Sequence, residues 1–162
     1  RVRSSAASDV YKRQLEDLLY VQTSENPDLA IFLLKESGTP LLPVIALDLQ
    51  PRADWRNVNV FAVGHPIRDL QNDPNVAMVF GEIDGTKRFS PGTLTAVLGG
   101  TVLAHDCSTT NGSSGSPIVD FVSLKAVGLH YFGAPGARNE SVLLAAYAEH
   151  PAIKKSVANA WS

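Results

Sequence analysis

The sequence predicts an all-β fold, a barrel or a sandwich, finished by one short C-terminal helix. Three observations carry that prediction. Apolar runs end after a handful of residues, and Gly- and Pro-containing turns fall between them, as at Gly38-Thr39-Pro40, Gly64-His65-Pro66 and Ser90-Pro91-Gly92. Several of these runs follow one another at close spacing, the pattern of antiparallel strands joined by tight turns. Only the end breaks it, where residues 151–161 read as a helix with proline in its first turn.

Taken in order, residues 15–22 favour a strand because their β-rich end, Leu19 to Gln22, outweighs a helical reading. Residues 24–27 break it. Asp28 then opens D-L-A-I-F-L-L, an apolar run of strand length expected to be buried on both faces or nearly so. Residues 41–49 are interrupted by proline and read as an edge strand, and the polar residues 50–56 as a surface loop. Residues 57–63 alternate as a strand and turn at Gly64; residues 69–75 are loop. Further short strands are expected at 76–81, at 87–92 with a sharp bend in Ser90-Pro91-Gly92, at 93–98 and at 101–106. Residues 142–147 fit either state.

Composition bounds the chemistry. At 162 residues and 44% hydrophobic, the chain can bury the core of one domain or two small barrels. A net charge of -2, spread rather than blocked, offers no basic stripe for nucleic acid. Cys107 is the single cysteine, so no internal disulfide can form, and neither a C-x-x-C pair nor a histidine cluster offers a metal site. No cofactor is implied. The longest apolar runs, such as residues 29–34, fall far short of the roughly 20 residues that span a bilayer, so no membrane partner is expected. Residues 1–14 are basic and serine-rich, without the apolar core of a secretory signal, and resemble translated sequencing adapter; they are set aside as non-native. The native start is then expected to be missing.

The chemistry concentrates in C-S-T-T-N-G-S-S-G-S-P-I-V, residues 107–119, followed by K-A-V-G-L-H-Y-F-G, residues 125–133. A serine hydroxyl becomes a nucleophile only when a base takes its proton and preorganised donors meet the oxyanion that forms. Gly112-Ser113-Ser114-Gly115 suits the second need: Gly112 can turn its N-H inward beside that of Ser114, and Gly115 lets the chain pass close to a substrate. On G-S-S-G alone, an ordinary Gly/Ser loop is the commoner reading.

The neighbours shift that balance. G-S-S-G-S-P-I resembles the nucleophile motif of chymotrypsin-like serine proteases, and S-T-T-N-G-S-S-G-S-P with G-L-H is most similar to their bacterial glutamyl-endopeptidase branch. D-L-A-I-F-L-L resembles the strand that carries the family's triad aspartate, V-F-A-V-G-H-P the strand and turn closing the first barrel, and K-R-F-S-P-G the start of the second. The resemblance implies a chymotrypsin-like double β-barrel with an incomplete first barrel, residues 15–70, and a second, residues 71–162. It implies peptide-bond hydrolysis with Ser114 as nucleophile, Asp28 as orienting carboxylate, and Gly112 and Ser114 as oxyanion donors. Thr109 and His130 would bind an acidic substrate side chain, a task for which a hydroxyl and an imidazole are chemically apt. Tyr131, Phe132 and Gly133 would pair with an extended peptide or protein substrate as an added strand.

The departures are equally informative. Asn111 and Ser113 replace the branch's usual residues, but oxyanion donors are backbone groups, so neither change blocks the hole. The family places its base histidine before the aspartate, and no histidine precedes Asp28; those present are His65, His105, His130 and His150. His65 would match the Asp, His, Ser order of subtilisin-like enzymes, but the serine lacks their G-T-S-M-A context. His105 reads as a half-buried structural residue and His150 as a solvated helix cap. The chain as it stands is therefore expected to be inactive, with the base upstream. A protease-like peptide-binding module that has lost catalysis is the alternative, whereas an α/β-hydrolase esterase is disfavoured because G-x-S-x-G is absent.

Overall fold

The computed structural model describes residues 14–22, 27–35, 44–67, 78, 81, 86–134 and 138–159. Two β units form. β1 (Leu15–Val21) and β2 (Ala30–Leu34) make an antiparallel ribbon, while β3 (Asn59–Gly64), β4 (Arg88–Leu98), β5 (Val102–His105), β6 (Pro117–Asp120), β7 (Ala126–Ala134) and β8 (Arg138–Leu143) close into a barrel. The order around the barrel is β3-β4-β5-β8-β7-β6, and every pairing is antiparallel. A 3-10 turn at Leu144–Tyr147 leads to α1 (Pro151–Asn159). The all-β expectation with a short final helix is met. The turn expected at 38–40, the loop at 69–75 and all but Pro27 of the break at 24–27 lie outside the described residues; of the strand expected at 76–81 only Met78 and Gly81 are described, and Met78 is helical and Gly81 in no strand.

β3, expected to close a preceding barrel, instead pairs with β4 along its whole length and with β6 over Val60, Phe61 and Ala62. The expected boundary after residue 70 therefore falls inside the observed barrel. Local alternation identifies a strand but carries no information about its partner. β4 likewise replaces two expected strands. It pairs with β3 up to Thr93 and with β5 from Leu94, so Pro91 lies where β4 has one neighbour and its missing N-H leaves no gap in the ladder. Gly92 is required by close approach: a Cβ there would sit 2.5 Å from Asp106 Oδ1 and 2.6 Å from the Cys107 nitrogen. Thr93 in turn donates its N-H and hydroxyl to the Asp106 carboxylate, pinning the corner that follows β5.

The barrel core is built from Trp55, Val60, Ala62, Leu94, Leu103, Cys107, Ile118, Val127 and Leu143. Burying each large aliphatic side chain among them contributes roughly 1.5–3 kcal/mol. Cys107 belongs to this apolar set, and burial, reinforced by Asp106, pushes its thiol up to about 11.

The segment before β3 is a strap rather than a free surface loop. Its expected edge strand reduces, among the described residues, to a single parallel bridge between Leu47 and Ala126, with Asp48 N-H donating to the Ala126 carbonyl and Ala126 N-H to that of Ala46. Arg52 then joins Asp48 and the buried Asp120, each at 2.6 Å, and its guanidinium lies 4.8 Å over the ring of buried Trp55. Burial opposes ionisation of Asp120, but the N-H groups of Val122 and Ser123 and the Arg52 charge outweigh it and hold the carboxyl below its ordinary range.

The ribbon differs from expectation in burial. Leu29 is buried, but β2 alternates between exposed and half-buried positions because, among the described residues, no second sheet covers it. α1 lies beside β2, and His150 caps that helix: its Nδ1 accepts from the Ala152 N-H at 3.2 Å while its ring packs 4.3 Å from that of Tyr20. His150 is thus a half-buried cap rather than a solvated one.

Candidate active site

The loop between β5 and β6 is shaped by its own backbone. Ser113 N-H donates to the Thr110 carbonyl at 3.0 Å and Ser116 N-H to that of Ser113 at 3.0 Å, giving two successive tight turns. Gly112 and Gly115 take φ of +86° and +84°, a region that side chains disfavour. At Gly112 space is short as well, since a Cβ would meet the Ile67 nitrogen at 2.7 Å, and that same nitrogen donates to the Asn111 carbonyl. Gly64 packs directly against the buried Ser116 hydroxyl.

The hydrogen bonding around Ser114 alternates. The N-H groups of Ser113, Gly115 and Ser116 are all taken, whereas those of Gly112 and Ser114 have no acceptor among the described residues. Ser114 is exposed. Among the described residues its hydroxyl has one hydrogen bond, donated to the Tyr131 carbonyl at 3.4 Å, at the long end of the range. Ser113 is buried instead, its hydroxyl accepting from the Thr110 N-H.

β7 supplies the facing edge. Its ladder with β6 ends at the Pro117–Leu129 pair and His130 still bonds the backbone of Gly115 and Ser116, yet β7 continues to Ala134, and from Phe132 on its only strand partner among the described residues is β8. Tyr131 sits at a bulge in the β8 ladder, and Phe132 and Gly133 are exposed. Beneath Gly133, Thr109 donates its hydroxyl to Asn139 Oδ1 at 3.0 Å, and Asn139 Nδ2 donates to the Cys107 carbonyl at 2.8 Å. A Cβ on Gly133 would lie 2.6 Å from Asn139 Oδ1, so this glycine keeps the wall open. Tyr131 donates its hydroxyl to Glu140 Oε2 at 2.8 Å, and Arg138 holds the other carboxylate oxygen at 2.6 Å. Burial opposes charge on Glu140, but these two partners prevail and lower its pKa.

The structure thus gathers Ser114, Gly112, Thr109 and residues 131–133 about one loop and one strand. Two predicted residues do not join them. Asp28 is exposed at the foot of β2 and makes no hydrogen bond or ion pair among the described residues. His130 faces the core: it is 4% exposed, and its Nδ1 lies 3.1 Å from Nε2 of His105. His105, expected to be half-buried, is 1% exposed. A cleft of about 300 Å³ backs the serine loop, with a wall that takes in Thr109, Ser113, Ser116, Gly64 and Arg88 but not Ser114. Sequence reasoning missed Asn139, which no motif marks; it meets Thr109 only because β8 runs beneath β7.

The profile of the trypsin-like peptidase domain matches residues 3–129. The chain belongs to the trypsin-like peptidase family. The matched span includes residues 3–14, the stretch set aside above. No curated protein matches this peptidase domain in sequence. Among solved structures it is similar to the scabies mite inactivated protease paralogue S-I1, with 19% identity and a TM-score of 0.58 over 93% of this chain and 68% of that one. It is also similar to an inactive mutant form of Rv3671c from M. tuberculosis H37Rv, at 15% identity and 0.54, over 94% and 68%. Tobacco vein mottling virus protease aligns at 15% and 0.47, over 72% of this chain and 46% of that protein. At such identities the likeness is one of fold: the six-stranded barrel is the complete unit of a chymotrypsin-like architecture, and the ribbon is a partial sheet beside it.

Proposed function

We propose that the chain is the larger part of a serine endopeptidase in which Ser114 attacks the scissile carbonyl and the N-H groups of Gly112 and Ser114 receive the oxyanion. The observation that supports this most is the alternation of the serine turn, which among the described residues leaves those two amides unpaired beside an exposed hydroxyl. The edge of β7 at Tyr131, Phe132 and Gly133, which faces no other strand than β8 among the described residues, suits an extended peptide added as a strand. Thr109 and Asn139 would line the pocket for the residue before the scissile bond.

The mechanism needs a base that these residues do not supply. His105 and His130 are buried against each other, His150 caps α1, and no imidazole bonds the Ser114 hydroxyl among the described residues. We place the base histidine upstream of residue 15, oriented by Asp28, where it would take the Ser114 proton and return it to the leaving amine. Without it this chain retains only oxyanion stabilisation and substrate binding.

An acidic preference, implied by Thr109 and His130, finds its donors already spent. The Thr109 hydroxyl and Asn139 amide bond acceptors within the protein, and His130 is turned into the core with its pKa lowered by burial. Recognition of a carboxylate would fall to Nε2 of His130, the ring nitrogen that does not face His105. Peptides differing only before the scissile bond, given to the extended protein, test this: equal cleavage after Glu, Phe and Lys removes the acidic reading.

The absence of a bonded imidazole also favours a second reading, a protease-like module that binds peptides without cutting them. A fluorophosphonate probe separates the two. If the protein with its upstream polypeptide acylates at Ser114, the peptidase reading stands; an extended protein that binds peptide but never labels is the binding module.

A further inference from the structure

Two imidazoles meet inside the barrel wall. His105 ends β5 and His130 lies in β7, with β8 between them in the sheet, and their rings approach at 5.2 Å and 70°. The Nε2 of His105 and Nδ1 of His130 are 3.1 Å apart, so one donates and the other accepts. The other nitrogen of His105 decides which. Its Nδ1 is buried and has no hydrogen-bond partner among the described residues, and an orphaned buried N-H is harder to tolerate than a bare lone pair. The hydrogen of a neutral His105 therefore sits on Nε2 and is donated to Nδ1 of His130.

The backbone of His130 is fastened to the serine turn in both directions. Its N-H donates to the Ser116 carbonyl at 2.9 Å, and its carbonyl accepts the Gly115 N-H at 2.8 Å. The next residue, Tyr131, accepts from the Ser114 hydroxyl. We infer that His105 is a positioning residue for the Ser114 turn: by donating to His130 Nδ1 it fixes the β7 residue whose backbone clamps Gly115 and Ser116. The catalytic meaning of this link rests on Ser114 being the nucleophile; the link itself does not.

The device requires a neutral pair. A second proton on His105 would find no acceptor at Nδ1, and one on Nδ1 of His130 would set two N-H groups face to face. The charged groups around the pair are Asp106, adjacent to His105, and Glu140 on β8 with its partners Arg138 and Tyr131. Among the described residues the Glu140 carboxylate is held by Tyr131 and Arg138 and by neither imidazole.

Nitrogen-15 NMR and amide exchange on the full chain test the assignment without turnover. At pH 7, His105 is expected to carry its hydrogen on Nε2; a His105 protonated at Nδ1 overturns the inference. In His105→Leu, which removes the donor, the Gly115 and His130 amides are expected to exchange about tenfold faster while Ala104 and Val142 stay within about twofold. His105→Gln, which keeps an N-H donor, should restore most of the protection. Equal protection in all three proteins overturns the inference, and so does a loss shared equally by Ala104 and Val142 that glutamine fails to repair. Should His105→Leu not fold, the wild-type tautomer and the His105→Gln exchange decide. Failure of Ser114 to react with fluorophosphonate would remove the peptidase reading and leave these measurements intact.

Discussion

The barrel and the ribbon hold the two halves of the proposed chemistry, and they are built to different standards. In the barrel each strand finds partners, the sheet closes, and Leu94, Leu103 and Ile118 are fully buried. In the ribbon the two strands pair, among the described residues, only with each other, and Leu15, Leu18, Val21, Phe32 and Leu34 remain 45–58% exposed. The Ser114 turn inherits the order of the first region, fixed by several backbone bonds and by glycine conformations that side chains disfavour. Asp28 has only the second. Backbone donors can therefore be preorganised by a closed sheet on its own, whereas a side-chain triad needs a second layer to hold it in register.

Core truncation separates the two regions most strongly. Leu103→Ala, at a site with no exposure, is expected to cost about 3–4 kcal/mol through lost burial and a cavity. Leu18→Ala, half exposed on β1, should cost less than about 1 kcal/mol. Urea unfolding gives both values; similar losses would show that the ribbon is packed as firmly as the barrel. Next in size is the strap. Asp120→Ala leaves Arg52 facing Asp48 alone and strands the Val122 and Ser123 N-H groups, for an expected loss of about 2–4 kcal/mol. A loss no larger than that of Leu18→Ala would mean the strap adds nothing to barrel closure.

How legible each region is in the sequence follows the range of its contacts. The serine turn can be read because glycine placement is local chemistry, and Gly112 and Gly115 do take the positive φ such a turn demands. Strand identity is also local. Partners are not: nothing between residues 57 and 64 says that β3 closes onto β6. The Thr109–Asn139, His105–His130 and Arg52–Asp120 pairs span 30, 25 and 68 residues, and each exists only because topology folds the chain back. Ser90-Pro91-Gly92 reads as a turn, yet forms part of a strand, for a related reason. Proline and glycine break an isolated strand, but here one neighbour tolerates the missing N-H and the other needs the missing Cβ.

Acid is expected to act on the barrel through its imidazoles before its carboxylates. His105 is held down to about 4 from 6.5, first by burial and then by His130, and burial lowers His130 too. Between those pH values the unfolded chain binds a proton that the folded chain refuses, so stability is complete above pH 6.5 and declines as pH falls toward 4. Asp120 and Glu140, whose pKa values are lowered, contribute stability that disappears only at more acidic pH. One such proton removes at most about 1.4 kcal/mol for each step of one in pH, so urea unfolding between about pH 7 and 4.5 should show a loss on the order of 2 kcal/mol. His105→Gln should flatten that slope; an unchanged slope would assign the acid sensitivity elsewhere.

The smallest expected change in stability is at the residue with the largest expected chemical effect. Ser114 is exposed, its hydroxyl makes one long hydrogen bond among the described residues, and the turn is held by backbone groups of Ser113, Gly115 and Ser116. Ser114→Ala should therefore leave the urea midpoint within about 0.5 kcal/mol of wild type. The backbone amides at positions 112 and 114 would keep their places, so binding of a peptide aldehyde hydrate or boronate should lose only the covalent contribution, while labelling by fluorophosphonate in the extended protein should vanish. A stability loss comparable to that of Asp120→Ala would instead make the Ser114 hydroxyl a structural tie between the turn and β7. The unpaired amides would then be a by-product of that tie rather than a site for an oxyanion.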